Sequence, residues 1–283
     1  MSTQMGLSEG EILGLGSGIP ARIFRKGVRI LFGVIEKGNV IGACTTHLAE
    51  RGLRIEQVTE YDRIPEIVER AQKEYLTPVV SPVHNDLTQG NCIWLVAWLG
   101  DQPAMVGGAR LEALGAESVS SFWPRSLGRM YGREPGELIH SVSSEISSRL
   151  NGNLAYFGDL HVNPSMRGML SNLRAFIAIG HMAVSLNWDP DFTYAFVREA
   201  DVMRGAAARY GFLDVFPQPM VWNNPPKPRS NGEWCGVLPR DKLRIMATSV
   251  VQGLSVAPKS NPGAQAIRQQ YESTSDEPVA SVT

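Results

Sequence analysis

The stretch from Gly158 to Gly168, GDLHVNPSMRG, carries the densest set of groups that could do chemistry. The pattern predicts a strand that ends at Asn163-Pro164, a tight turn that presents Arg167-Gly168, and a long helix that begins a few residues later. Backbone N–H groups at a helix start have no partner within the helix and point to the same place. We therefore expect an anion site at this turn, and a pyrophosphate would suit it.

The elements around this stretch predict an α/β protein with one mixed sheet and helices on both faces. Residues 92–99 are apolar on both sides, which is typical of a strand covered on both faces. Gly100-Asp101 then predicts a hairpin to residues 104–111, in which Gly107-Gly108 would allow another backbone or a ligand to come close. The other predicted strands cover 53–58, 154–162, 192–197, 212–222 and 234–238, and the predicted helices begin near 62 and 171 or cover 201–209 and 241–251.

The chain divides into three predicted segments. We expect an N-terminal appendage over residues 1–50, a catalytic domain over 51–253 and a disordered tail over 254–283. An insertion at about 113–150 is rich in serine, glycine and arginine and contains a candidate acidic helix over 134–150. Its Trp123 and Tyr131 are candidates for lining an acceptor or acyl pocket, or for packing the insertion itself.

The motif VNPSMRG, the Tyr210-Gly211-Phe212 corner and the order of elements resemble the GNAT superfamily of acyl-CoA-dependent N-acyltransferases, over roughly residues 54–238. The resemblance implies central strands that splay apart and hold acetyl-CoA or a longer acyl-CoA, with no metal. In some branches the donor is instead the phosphopantetheine of an acyl carrier protein. The residues that the resemblance assigns to the donor are Val162, Arg167, Gly168, Met169, Leu170, Ser171 and Asn172.

The sequence departs from the family pattern at several positions. Leu170 and Asn172 stand where small residues normally let phosphate oxygens approach. Ala207 stands where many members place a tyrosine that protonates the leaving thiolate, and Ala200 stands where an asparagine is frequent.

Acyl transfer to an amine requires a neutral amine, a held carbonyl oxygen and a proton source for the thiolate. Asp159 and His161 are candidate bases that share a face of one strand because side chains alternate along it. Glu145 is a third candidate base, and Tyr194 and Tyr210 are candidate acids. Asp159 as a turn cap and His161 as a core histidine bonded to backbone are the structural alternatives.

Composition excludes several classes of protein. The chain has 283 residues, 43% of them hydrophobic, and a formal charge of -1, so no global field draws it onto nucleic acid or an anionic membrane. The three cysteines are an odd number and widely spaced, which argues against disulfides and structural zinc. Without a leader or a long apolar run, the expected location is the cytoplasm.

The leading hypothesis is an N-acyltransferase that acylates an amine of a small molecule or peptide by direct attack in a ternary complex. One alternative is an N-acyl amino acid or acylhomoserine lactone type synthase, which would dock an acidic carrier protein on basic residues of the N-terminal segment. Another is a non-catalytic relative that binds a ligand or partner. The proposed docking residues are Arg22, Arg25, Lys26 and Arg29.

Overall fold

The computed structural model describes residues 32–134, 136–166 and 170–256. Its helices are α1 (Val34–Ala49), α2 (Ile64–Arg70), α3 (Val119–Met130), α4 (Ser144–Arg149), α5 (Leu170–Trp188), α6 (Glu199–Met203), α7 (Ala206–Arg209) and α8 (Leu243–Val256). Its strands are β1 (Leu53–Val58), β2 (Cys92–Leu99), β3 (Gln102–Ala113), β4 (Ile139–Val142), β5 (Asn153–Val162), β6 (Phe192–Arg198), β7 (Asp214–Pro217), β8 (Met220–Trp222) and β9 (Glu233–Pro239).

Seven strands form one mixed sheet in the order β1-β2-β3-β5-β6-β9-β7. Only β5 and β6 run parallel, and the other neighbours are antiparallel. The remaining strands, β4 and β8, pair with each other in a small second sheet. The predicted α/β class with a mixed sheet is confirmed.

Strand β2 shows why the sheet has helices on both faces. Ile93, Leu95 and Ala97 pack into an apolar cluster with residues of α1, α5 and α8. Trp94 and Val96, which alternate with them, pack into a second cluster with residues of α2, α3 and α4. Because neighbouring side chains of a strand point to opposite faces, an unbroken apolar run needs cover on both sides. The prediction for this strand is confirmed.

Helix α1 lies in this core. Val40, Cys44 and Leu48 are buried in the same cluster as α5, so residues 34–49 pack on the sheet domain. Residues 1–31, with the proposed docking residues, and residues 257–283 lie outside the described residues, and the predicted appendage and tail stay predictions there. Among the described residues, no helix has both the length and the apolarity to span a bilayer.

Three elements differ from the prediction. The helix expected over 201–209 is broken into α6 and α7, because Gly205 has a φ of +79°, which a right-handed helix cannot include. The helix expected over 134–150 is instead β4 followed by α4. The strand expected over 212–222 is divided between the two sheets, as β7 and β8, and Gln218 between them has a φ of +44°.

Candidate active site

The parallel pair at the centre of the sheet parts into a gap. Strands β5 and β6 are in register only at Leu154 with Phe192, Ala155 with Thr193, and Tyr156 with Tyr194. Beyond these positions β5 continues along β3 and β6 continues along β9, and the two strands no longer pair with each other within the described residues. Backbone groups at the facing edges are therefore available beside the gap.

A β-bulge accompanies the separation. Strand β3 contributes one residue, Gly107, where β5 contributes two, Asp159 and Leu160. Asp159 has a φ of +53°, in the left-handed region that aspartate tolerates better than most side chains. A Cβ atom on Gly107 would lie 2.7 Å from Leu160 Cδ2, so a larger residue opposite the bulge would require the Leu160 side chain to move. Because a bulge bends its strand, we attribute the departure of β5 from β6 to it.

The gap opens into a cavity of about 480 Å³. Its walls include residues 158–161 of β5, 195–198 of β6 and the loop residues 72–75, together with Tyr210 and Arg229. This volume is in the range of small-molecule sites. The cavity combines aromatic surface with charged and hydroxyl groups, as a site that holds and orients a polar substrate does.

Asp159 holds the loop that forms one wall. Its carboxylate pairs with Lys73 Nζ at 2.7 Å, accepts a hydrogen bond from the Thr77 N–H at 3.1 Å, and accepts a second from the Thr77 hydroxyl. The carboxylate is fully buried. These contacts favour the structural role for Asp159, because its oxygens are already committed to Lys73 and Thr77.

His161 and Tyr210 reach the same cavity. The His161 Nε2–H donates to the Ala71 carbonyl at 3.1 Å. The Tyr210 hydroxyl has no hydrogen-bond partner among the described residues. Burial, and then the nearby Asp201 carboxylate, raises the pKa of Tyr210, so its phenol keeps its proton near neutral pH.

A buried histidine, His181, forms a hydrogen bond with the backbone of Tyr210. Its titration makes the free energy of unfolding depend on pH. His181 Nε2–H donates to the Tyr210 carbonyl at 2.9 Å, and burial lowers the pKa of His181 to about 4. In the unfolded chain the ring titrates near 6.5, so below that pH the unfolded state binds a proton that the folded state does not. The contribution of His181 to stability is therefore full above about pH 6.5 and is lost as the pH falls toward 4.

We expect this effect to reach about 2.5 kcal/mol at about pH 4.5. Urea unfolding of the wild type and of His181→Gln, near pH 7.5 and pH 4.5, measures it. Carboxylates titrate in both proteins alike, so their effect cancels in the difference between the two free energies of unfolding. That difference, which favours the wild type, should be smaller by roughly 2 kcal/mol or more at the lower pH. A difference that stays constant would show that His181 is not held neutral.

The arrangement of the sheet and its gap agrees with the family resemblance found in the sequence. A seven-stranded mixed sheet between helices, whose neighbouring parallel strands part into a cavity, is what the resemblance in the sequence implies. The fold is GNAT-like. No protein-family model matches the sequence, and no curated protein matches it either.

Solved structures of acetyltransferases are among the matches. Arabidopsis thaliana NAA60 in complex with acetyl-CoA is 12% identical, with 66% of this chain and 97% of that chain covered and a TM-score of 0.37. Drosophila melanogaster polyamine N-acetyltransferase is 13% identical, with 66% of this chain and 99% of that chain covered and a TM-score of 0.40. Legionella pneumophila aminoglycoside N(6′)-acetyltransferase is 10% identical, with 69% of this chain and 95% of that chain covered and a TM-score of 0.37. These values are too low to support an activity, and the GNAT-like layout rests on the strand order and the gap.

Two of the five predicted catalytic residues do not line the GNAT-like cleft. Tyr194 is buried at the last position paired with β5, where its hydroxyl donates to Glu112 at 2.6 Å and accepts from Trp123 Nε1 at 3.1 Å. Glu145 is exposed at the start of α4, whose Ile146 is buried in the core. Proximity in sequence to β5 therefore did not bring Glu145 to the cavity. Trp123 packs in the core and does not line this cavity.

The predicted donor turn is described only in part. Arg167, Gly168 and Met169 lie outside the described residues. Val162 pairs with Met105 at the end of β5. Leu170, which begins α5, is half-exposed and Ser171 is partly buried.

Asn172 is buried, and its Oδ1 lies 3.2 Å from Nε2 of His47 on α1. The side chain of Asn172 therefore points toward α1, and any contact with phosphate at this position would come from its backbone. The pyrophosphate site at the turn stays a prediction.

The sequence analysis missed several residues that line the cavity. Lys73, Tyr75 and Thr77 come from a loop with no regular pattern, and only the fold brings them to β5. Arg229 comes from the proline-rich segment that precedes β9, and Glu233 is the first residue of β9. Their spacing of four residues and opposite charges were the one available signal, and on its own that signal is common on protein surfaces.

Proposed function

We propose that the protein is an N-acyltransferase that moves an acyl group from a thioester to an amine. The observation that carries the proposal is the separation of β5 and β6 beyond Tyr156 and Tyr194, which opens the cavity. In the reaction, the amine nitrogen attacks the thioester carbonyl carbon. A C–N bond forms, the C–S bond breaks, the amine loses a proton and the thiolate gains one.

Tyr210 and His161 suit the two proton transfers. Tyr210 holds a phenolic proton in the cavity and would protonate the leaving thiolate. His161 lines the cavity and would accept the proton of the amine, while its hydrogen bond to the Ala71 carbonyl orients the ring. Ala207 lies buried where the family resemblance expects a tyrosine, so the acid must be another residue, and Tyr210 is the candidate that lines the cavity.

The donor is a pantetheine thioester, either acetyl-CoA or a longer acyl-CoA, or an acyl carrier protein. Both carry the same reacting group, and the two sources differ in what lies beyond the pantetheine. A titration with acyl-CoAs and a second with acylated carrier protein separate them. The cytoplasmic location stays a prediction from the sequence.

Occupation of the gap should be measurable as thermal stabilisation. At about 100 times its Kd an acyl-CoA adds about 2.7 kcal/mol to the free energy of unfolding, or roughly 5–10 °C in Tm. Ala195 lies in β6 just beyond the paired positions and lines the cavity. Leucine at this position fills the gap, so Ala195→Leu should weaken donor binding by at least about tenfold.

A matched control separates this effect from overpacking in general. Ala247 is buried in α8 and does not line the cavity, so Ala247→Leu should lower Tm similarly and leave donor binding within about twofold. Mass spectrometry of an amine panel then tests for N-acyl product and free thiol in equal amounts. The proposal fails if no thioester of either source binds, or if Ala195→Leu and Ala247→Leu affect binding equally.

A further inference from the structure

The lining of the cavity carries one negative charge in excess. Among the described residues, four carboxylates and three cationic side chains line it. The cations are matched to three of the carboxylates in the pairs Lys73 with Asp159 and Arg198 with Asp201, both at 2.7 Å, and Arg229 with Glu233 at 3.1 Å. The fourth carboxylate is Glu74.

The buried cation of the lining is not free to bind an anionic ligand. Arg229 Nη1 contacts Glu233, its Nε–H donates to the Tyr131 hydroxyl at 3.1 Å, and Tyr156 is a further hydrogen-bond partner. The guanidinium also lies 5.1 Å from the centre of the Phe196 ring, and the side chain is 3% exposed. The wall therefore encloses this charge, and a carboxylate in the cavity cannot reach it.

The remaining positive charge lies on the opposite wall from Glu74. Arg198 on β6 shares the Asp201 carboxylate with Arg204, which does not line the cavity. This cluster is beside Tyr210, the proposed acid of the donor step, because Asp201 and Arg198 both act on the pKa of Tyr210. An excess of positive charge there does not offset the charge of Glu74.

Glu74 is available to a ligand. Its side chain is exposed at the loop wall, and it makes no hydrogen bond or ion pair among the described residues. Its neighbour Lys73 already donates to the Asp159 carboxylate and to the Tyr75 carbonyl. A cation in the cavity can therefore pair with Glu74 without breaking a contact, and the ring of Tyr75 beside it also attracts positive charge.

Glu74 also lies within reach of an amine at the proposed base. His161 is bonded to the carbonyl of Ala71, which precedes Glu74 by three residues, so the Cα atoms of Ala71 and Glu74 are at most about 11 Å apart. The reacting amine must lose its proton before it attacks. A second positive group, a few bonds away, keeps its charge and its contact with Glu74 throughout the reaction.

We infer that the acceptor is a small amine that carries a second positive group and no carboxylate, and that Glu74 binds the second group. The inference rests on the proposed function for its reaction but not for the binding step. A carboxylate on the acceptor would instead face Glu74 and find the cations of the lining already paired. Glu74 thus selects diamines over amino acids of the same length.

A titration without donor, followed by ligand-detected NMR, tests the inference. The probes are cadaverine, its alcohol analogue and its acid analogue, in which a hydroxyl or a carboxylate replaces one ammonium group. We expect cadaverine to bind about 3- to 10-fold more tightly than the alcohol, and the acid to bind most weakly. This advantage of cadaverine should fall as the salt concentration rises.

Two matched variants show whether Glu74 is the cause. Glu74→Gln should bring the Kd for cadaverine within about twofold of that for the alcohol and leave the Kd for acyl-CoA within about twofold. Glu69 is also exposed and has no ion pair among the described residues, but it does not line the cavity. Glu69→Gln removes the same charge nearby and should keep the advantage of cadaverine. Glu74→Lys should reverse the order, so that the acid analogue binds more tightly than cadaverine.

The outcomes distinguish this inference from the proposed function. Acyl transfer to the acid analogue as efficient as to cadaverine would overturn the inference and leave the acyltransferase intact. Binding of cadaverine that depends on Glu74, with no acyl transfer from any thioester, would support the binding site and overturn the acyltransferase. If cadaverine has no advantage over the alcohol, or if Glu74→Gln and Glu69→Gln change it equally, the inference is wrong.

Discussion

Tyr210→Phe is expected to lower kcat for acyl transfer by about 10²- to 10³-fold, the usual contribution of a positioned general acid. The phenol lies in the cavity, its hydroxyl has no partner among the described residues, and burial keeps it protonated. Phenylalanine keeps the ring and removes only the proton source. Steady-state thiol release gives kcat, and calorimetry should give a Kd for acyl-CoA within about twofold of the wild-type value.

A second tyrosine gives the matched comparison. The Tyr61 hydroxyl donates to the Cys92 carbonyl at 2.9 Å and does not line the cavity. Tyr61→Phe removes the same atom and should leave kcat within about twofold. A Tyr210→Phe enzyme with wild-type kcat would exclude Tyr210 as the acid. Equal losses in both variants would point to a general effect on the fold.

Lys73→Met is expected to lower the free energy of unfolding by about 3–5 kcal/mol. The lysine donates to the Asp159 carboxylate and to the Tyr75 carbonyl, and methionine would leave a fully buried carboxylate with Thr77 alone. The loss should be smaller when Asp159→Asn is added, because the charge that needs a partner is then gone. Urea unfolding of the two single variants and the double variant measures the coupling.

A second lysine–aspartate pair provides the control for burial. Lys242 Nζ lies 2.7 Å from Asp214 Oδ1, the same distance as in the buried pair, but its side chains are 35% and 21% exposed. Lys242→Met should therefore cost no more than about 1 kcal/mol. If both lysine variants cost the same, or if Asp159→Asn does not reduce the loss in Lys73→Met, the buried pair does not anchor the loop.

Much of the architecture could be predicted because it depends on local pattern. The apolar run of β2 requires cover on both faces, and the order of strands and helices gives the mixed sheet. The separation of β5 from β6 was expected only from the family resemblance. Its local cause is a bulge at Asp159 and Leu160, and a one-residue insertion in a ladder leaves no distinctive pattern in either strand.

The candidate site was predictable only where one element carries it. Asp159 and His161 lie on β5, and Tyr210 lies at the end of α7, so each could be named as a candidate from its own element, and the fold places all three along the cavity. Asp159 and Thr77 are 82 residues apart, and their contact depends on the fold of the intervening chain. Tyr194 was misplaced because the sequence does not show where along β6 the pairing with β5 ends, and Tyr194 lies at the last paired position.

A crystal structure with bound CoA tests the central claim most directly. We expect the thiol to lie between β5 and β6, beyond the last paired positions, with the Tyr210 hydroxyl within hydrogen-bond distance of the sulfur. CoA bound elsewhere on the protein, or β5 and β6 paired along their full length in its presence, would contradict the account.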